Sequence, residues 1–209
     1  MRDFKEYTLW DAVTPQAVTS STDATPIVVT KVAHGYTTGN QVIINGHTTN
    51  IAANGLYSIT VLSSSTFSLQ DVNTGANIAG SGGGAGAAGV MALAPKVVLH
   101  SDFRDMLLQV GTTGTATLTF KLAGSLGKNN GDTPNFSATV SPANPYTFLQ
   151  AINLDTAVAV NGATGIVATA ADIQNTYEVN MNGMKYITVI PTAWTQGAIT
   201  VKAMCFTGD

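Results

Sequence analysis

Apolar and polar residues alternate in four short runs within the segment Thr25–Gln70: residues 27–32, 41–44, 56–61 and 66–69. Residues that favour turns separate these runs, namely Gly35, Thr38-Gly39-Asn40, Asn45-Gly46 and Asn54-Gly55. Alternation with a period of two places successive side chains on opposite faces of a strand. Four such strands joined by Asn-Gly and Gly turns predict a small antiparallel β-barrel or meander.

The same pattern continues from Val90 to the end of the chain. It predicts further strands at residues 96–99, 106–110, 115–122, 146–152, 158–160, 177–181, 184–190 and 198–204. Gly111–Gly114 predicts a turn, Asn182-Gly183 predicts a hairpin between its flanking strands, and Thr169–Gln174 predicts one helical turn. Eight or so short strands of this kind favour an all-β fold, a jelly-roll-like β-sandwich that carries the small module.

Two breaks in composition divide the chain. The glycine-rich run Gly80–Gly89 has little side chain to pack and predicts a flexible connector, and Ser20–Ala24 is a weaker break. The module could be a bead on a string or an insertion, and Phe4–Val13, which contains Trp10, favours insertion because an unpaired terminus would expose that side chain. We predict a sandwich of residues 1–22 plus 90–209, an inserted module of residues 23–80 and a linker of residues 81–89.

Residues 33–69 read AHGYTTGNQVIINGHTTNIAANGLYSITVLSSSTFSL. This string resembles the small all-β domain first described as an insertion in ubiquitin-activating enzymes, copies of which recur in structural proteins of tailed bacteriophages. The ending, residues 184–203, looks like a recurrent ending of phage structural β-sandwiches. The resemblance implies a component of a virion rather than an enzyme.

Composition limits the partners of the chain. Charged residues make up only 10% of the sequence, which favours surfaces covered by further copies or by another protein and predicts a homo-oligomer. A net charge of −3 without a Lys/Arg cluster argues against nucleic acid. Residues 85–99 are interrupted by Gly86, Gly89, Pro95 and Lys96, and the start MRDFKEYTLW has no signal-peptide pattern, so we expect no membrane partner and a soluble protein made in the cytoplasm.

The histidines and the lone cysteine offer little chemistry. His34 lies in a turn and is expected to pack or to form hydrogen bonds, while His47 follows Asn45-Gly46 and is expected to face solvent. His100-Ser101-Asp102 resembles a triad only by adjacency, and no Gly-x-Ser-x-Gly elbow accompanies it. Cys205 predicts a small buried residue in the last strand.

Other site signatures are incomplete. The twelve acidic residues show no pair spaced for glycoside hydrolysis. Residues 129–132 lack the ordered carboxylates of a Ca²⁺ loop, and residues 82–86 lack the Gly-Lys-Ser/Thr of a phosphate loop. We therefore predict no catalytic, cofactor-binding or metal-binding residues, and no enzyme.

Three functions can be compared with the sequence. The first is a bacteriophage virion structural protein, assembled in the host cytoplasm, most concretely a capsid decoration or cement protein on the shell of major capsid protein; a tail, baseplate or fibre-adaptor protein is its rival. The second is a carbohydrate-binding adhesin module, for which Trp10, Trp194, Tyr146 and Tyr36 would supply stacking faces. The third is a hydrolase, which the absent site disfavours.

Overall fold

The computed structural model describes residues 4–82, 84–87, 89–95, 98–99, 103–126, 146–169, 174–181 and 183–207. Within them the chain forms two compact units: a barrel unit, from the span Pro15–Ala94, and a host unit, which combines residues before and after that span. Strands dominate both units, and the only helical element described is a 3-10 turn at Ile51–Ala53. The predicted all-β fold class is confirmed.

The barrel unit contains eight strands in one sheet. In chain order they are β2 (Gln16–Ala17), β3 (Ser20–Ser21), β4 (Val28–Thr30), β5 (Gln41–Asn45), β6 (Gly55–Ser63), β7 (Thr66–Asp71), β8 (Gly86–Ala87) and β9 (Val90–Leu93). Strands β4 to β7 coincide with the four alternating runs of the sequence. Their buried side chains, which include Val29, Val42, Ile59 and Phe67, form one core cluster.

The first and last segments of the barrel unit close its sheet. Gln16 pairs with Met91 and Ser21 with Gly86, and between them the amide of Val18 donates to the carbonyl of Gly89 at 2.8 Å. Strand β3 also pairs with β4, while β9 pairs with β5. These pairings therefore complete the ring of strands. Strands β8 and β9, which lie in and next to the glycine-rich segment, are part of the sheet.

The barrel unit differs from the predicted module at both ends. The module was predicted at residues 23–80 with a linker at 81–89, yet β8 and β9 lie in or next to that glycine-rich stretch and pair with β3, β2 and β5. Val18 and Met91, which lie outside residues 23–80, belong to the barrel core. Glycine has low strand propensity, so the sequence pattern did not reveal a strand that tertiary pairing imposes.

The host unit contains nine strands in a second sheet. They are β1 (Phe4–Val13), β10 (Val98–Leu99), β11 (Phe103–Ser125), β12 (Tyr146–Phe148), β13 (Ala151–Asn153), β14 (Val158–Val160), β15 (Ile166–Ala168), β16 (Gln174–Asn180) and β17 (Tyr186–Thr207). The main path of the sheet runs β1-β17-β11-β16-β13-β14, with β12 and β15 pairing β11 and β10 pairing β17. Strand β1 thus brings the start of the chain into this unit, as the insertion hypothesis expects.

A long two-stranded ribbon, formed by β11 and β17, lies at the centre of the host sheet. The two strands pair from Phe103 with Thr207 to Ser125 with Tyr186, with irregular register around residues 113–120. The turn predicted at Gly111–Gly114 is wrong, because β11 runs through it: Gly111 pairs with Thr200 in regular register, and Gly114 falls in the register shift between Thr113 and Thr117. Trp10, on β1 beside one half of the ribbon, meets Phe120, on the other half, edge to face at 6.2 Å, so the curled sheet packs its two halves together.

The hairpin predicted around Asn182-Gly183 is also not the observed pairing. Strand β16 pairs with β11 and β13, and β17 pairs with β11 on its other side. Strand β11 therefore lies between the two strands that the sequence pattern placed side by side. Asn182 itself and residues 170–173 of the predicted helical turn lie outside the described residues.

Candidate functional site

One face of the host sheet turns away from the core and carries an unusual set of side chains, which we call the outer face. A single row crosses six neighbouring strands in register. From β1 to β14 it consists of Glu6, Met204, Leu107, Glu178, Ile152 and Ala159. Leu107 and Met204 are half-buried and form an apolar pair between Glu6 and Glu178, while Ile152, on the other side of Glu178, is 45% exposed.

Two further rows flank this one. On one side lie Thr8, Lys202, Gln109 and Thr176, and on the other lie Phe4, Phe206, Asp105 and Asn180. Phe4 is 63% exposed. The outer face thus combines exposed apolar and aromatic groups with a rim of polar and charged ones, the arrangement of a protein-binding surface rather than of a solvated sheet face.

The groove on this face has a volume of about 380 Å³. It is lined by Glu6, Tyr7, Thr8, Leu107, Gln109, Thr176, Lys202, Ala203 and Met204. The lining of the groove holds one carboxylate and one ammonium group and no histidine or cysteine. That set of groups can bind a partner by contact and hydrogen bonding, and it supplies no nucleophile paired with a base.

The outer face is acidic on balance. Its three rows contain the carboxylates of Glu6, Glu178 and Asp105 and the single ammonium group of Lys202. A partner surface with an excess of Lys or Arg around an apolar centre would complement it.

A sequence signal for this face exists but was missed. In a strand that is buried on one side, apolar residues alternate with polar ones, whereas Met106-Leu107-Leu108 and Ala203-Met204-Cys205-Phe206 are continuous apolar runs. Met106, Leu108, Ala203 and Cys205 face the core and are almost fully buried. Their neighbours in the chain must therefore place apolar side chains on the opposite face.

His34 plays the packing role that the sequence predicts. The ring is 3% exposed and contacts Phe67 edge to face, with centroids 5.2 Å apart. Its Nδ1 accepts a hydrogen bond from the amide of Tyr36 at 3.0 Å, so the proton of the neutral ring lies on Nε2, which donates to the carbonyl of Ser63 at 3.0 Å. Both ring nitrogens therefore form hydrogen bonds with the backbone.

The prediction that His47 faces solvent is wrong. The residue is 3% exposed, and neither ring nitrogen has a hydrogen-bond partner among the described residues. Burial lowers the pKa of its imidazole. The turn around Asn45-Gly46 was expected to point outward, but Asn54 fixes His47 from within: its side chain accepts from the His47 amide and donates to the His47 carbonyl, both at 2.8 Å.

Cys205 is buried in the last strand as predicted, and burial raises the pKa of its thiol to about 11, so the thiolate is scarce at neutral pH. Of the four aromatic residues weighed for glycan stacking, Trp10 and Tyr146 are buried and the indole of Trp194 donates to the carbonyl of Gly197 at 3.0 Å. Tyr36 packs against His34 and Phe67. These four residues do not form an exposed stacking platform.

Several other candidates cannot be placed. His100, Ser101, Asp102 and residues 129–132 lie outside the described residues. In the part of the chain that is described, no group of three or more His, Cys, Asp or Glu side chains could hold a metal ion. A search of the same residues also found no helix with the length and apolar character needed to cross a membrane.

The chain matches no protein-family model and no curated protein. Among solved structures it is similar to the PBSX exported protein XepA, with 11% sequence identity and a TM-score of 0.33, over 99% of this chain and 82% of that chain. At this TM-score the likeness assigns neither a fold nor a function to the chain. The resemblance of residues 33–69 to the small all-β module stays a prediction.

Proposed function

We propose that this chain is a structural protein of a bacteriophage virion, and most concretely a capsid decoration protein that binds the shell of major capsid protein. The outer face of the host unit is the surface that would make this contact. Binding, rather than catalysis, is the role that its side chains can perform. The virion is the corresponding location, reached by assembly in the host cytoplasm.

The single observation that carries the binding role is the apolar pair Met204 and Leu107, with Ile152 beyond Glu178, on a sheet face that the described residues of its own unit do not cover. Apolar side chains on such a face lower the free energy of the system when a partner removes them from water. The acidic rim of Glu6, Glu178 and Asp105 favours a partner with basic groups in the matching positions. Low overall charge, at 10% of residues, fits a protein that is covered by neighbours or by further copies of itself.

The virion context rests on the sequence of residues 33–69, which resembles a module that recurs in tailed-phage structural proteins. The strands β4 to β7 of the barrel unit lie in and around these residues, and their all-β character supports the proposal. A tail, baseplate or fibre-adaptor role would use the same surfaces, and the number of copies in the particle separates the two.

The copy number in purified phage particles tests the proposal. Quantitative peptide mass spectrometry should give a stoichiometry comparable to that of the major capsid protein if the chain decorates the shell. A few copies per particle would instead indicate a tail or portal position. Absence from particles would contradict a virion role altogether.

A charge reversal on the outer face tests the binding surface. We expect Glu6→Lys to weaken binding to undecorated shells by about fivefold or more at low salt, because it removes a rim carboxylate and opposes basic groups of the partner. Asp11→Lys is the matched control: the same strand and the same change of charge, at an exposed position outside the three rows. Equal affinities of the two variants in a sedimentation assay would show that the outer face is not the contact.

A further inference from the structure

The described residues of the glycine-rich segment, 80–82, 84–87 and 89, which we call the strap, place two glycines against the buried ring of His47. A Cβ atom added at Gly86 would lie 2.7 Å from Nδ1 of His47, and one added at Gly89 would lie 3.2 Å from Nε2. Real Cβ atoms do not approach polar atoms at the first of these distances. Because glycine has no side chain, the backbone of the strap can approach both ring nitrogens of His47 closely at these two positions.

Side chains of the barrel hold the strap in place. The carboxylate of Asp23 accepts from the amides of Gly82 at 3.0 Å and Gly84 at 2.8 Å. Asn50, which is fully buried, accepts from the amide of Ser81 at 3.2 Å and donates to the carbonyl of Thr22 at 2.7 Å. Beyond these contacts, β8 pairs with β3, so the strap is one strand of the closed barrel.

We propose that His47 and the strap form an acid-sensitive latch: the strap stays closed over the neutral imidazole and opens when the ring binds a proton. This inference concerns the barrel unit and is independent of the proposed function. Opening would separate β8 from β3 and leave the edge of β3 free to pair with another strand.

The reason lies in the surroundings of the ring. The neutral imidazole already leaves one donor and one acceptor without a partner among the described residues. Protonation turns the acceptor into a second donor and adds a charge at a buried position, which costs free energy unless water or an acceptor reaches it. Asn54 holds the backbone of His47 on both sides, so in the proposed latch the contacts that break are those of the strap with Asp23, Asn50 and β3.

Few charges oppose or assist this change. Gly86 and Gly89 lie against the ring, and the other residues next to these two glycines, Ser21, Asn45 and Asn50, carry no ionisable side chain. The nearby charged group among the described residues is Asp23, just after β3. Its carboxylate accepts hydrogen bonds from the strap amides of Gly82 and Gly84. A measurement that stays above the ordinary range of carboxylate titration therefore leaves histidine as the side chain concerned, and comparison with His47→Gln assigns the effect to His47.

The sign of the pH dependence follows from burial. Burial lowers the pKa of His47 in the closed state, whereas an opened ring returns toward the ordinary value near 6.5. At pH values above that ordinary pKa, the free energy of the closed state relative to the open state is at its lowest. As the pH falls below it, the open state binds more protons, and the ratio of open to closed molecules rises by up to about tenfold per pH unit until the lowered pKa is passed.

Hydrogen exchange of the full-length protein by NMR tests the latch. Protection factors of the amides of Gly80, Ser81, Gly82 and Gly84, each corrected for intrinsic exchange, should fall by about tenfold between pH 7.5 and pH 5.0. The amides of Ile59 and Leu69 in the barrel core should keep theirs. In His47→Gln, which cannot titrate, the strap amides should show no such fall.

Unchanged protection in the wild type would overturn the latch, and so would an equal fall in His47→Gln. If His47→Gln fails to fold, the ring protons of His47 in the wild type provide the second measurement. Their titration midpoint should lie below the ordinary value and should coincide with the loss of strap protection. An ordinary midpoint with a strap that stays protected would exclude the proposal.

Discussion

A fragment of residues 15–94 will fold on its own, whereas a fragment of residues 23–80, the module as the sequence pattern bounds it, will not. The longer fragment contains all eight strands of the barrel unit, including residues 16–21 and 86–91, which close the sheet. The shorter one loses β2, β3, β8 and β9. Two-dimensional NMR spectra and urea unfolding of both fragments check this expectation.

The physical reason is the loss of two kinds of contact at once. Without β3 and β9, the strands β4 and β5 become open edges with unpaired amides and carbonyls. Val18 and Met91 also leave the core cluster, in which Met91 has no exposed surface. A unit of this size has a small core and cannot lose such contacts without falling below marginal stability.

The outcome that would contradict this expectation is a dispersed spectrum and cooperative unfolding of the fragment 23–80. Phe67→Ala in the longer fragment serves as a control for a native core, because Phe67 is fully buried beside His34 and Tyr36. We expect that substitution to lower the free energy of unfolding by about 3–5 kcal/mol. The same experiment tests the domain boundaries at residues 22, 80 and 90, which otherwise remain predictions.

Trp10→Ala in the full-length protein will destabilise the host unit by about 3–5 kcal/mol. Trp10 is 1% exposed, lies on β1 opposite Val201, and meets Phe120 edge to face. Removing the indole leaves a cavity between the two halves of the curled ribbon and also ends the aromatic contact. Urea unfolding followed by circular dichroism, with the two units resolved as separate transitions, measures the change.

Phe4→Ala is the matched control for this substitution. Phe4 lies on the same strand and is 63% exposed, so its truncation should change the free energy of unfolding by no more than about 0.5 kcal/mol. If Trp10→Ala proves as mild as Phe4→Ala, then β1 does not contribute to the core of the host unit, and the insertion hypothesis loses its support.

The barrel strands β4 to β7 could be predicted because their information is local. Alternation over residues 27–32, 41–44, 56–61 and 66–69 and the Asn-Gly turns fix both the strands and the faces they bury. The all-β class and the buried position of Cys205 follow from the same kind of signal.

What could not be predicted depends on contacts between distant residues. Strand β8 consists of Gly86 and Ala87, which have no strand preference of their own, and only pairing with Ser20 and Ser21 makes them a strand. The order β17-β11-β16 is likewise a matter of which long strand pairs with which, and the local Asn-Gly signal does not decide it. His47 lies under Gly86 and Gly89, some forty positions later in the chain, and no local pattern around His47 indicates that contact.

The point where the chain enters and leaves the barrel unit also has a consequence for how such proteins diversify. Gln16 and Met91 are direct cross-strand partners, so their Cα atoms are about 5 Å apart. A foreign domain whose own ends lie that close could replace residues 17–90 between Gln16 and Met91 without pulling these two residues apart, and so could a tight loop. The host unit would then stay the same, and different folded domains could be inserted at this one position, either by evolution or by protein engineering.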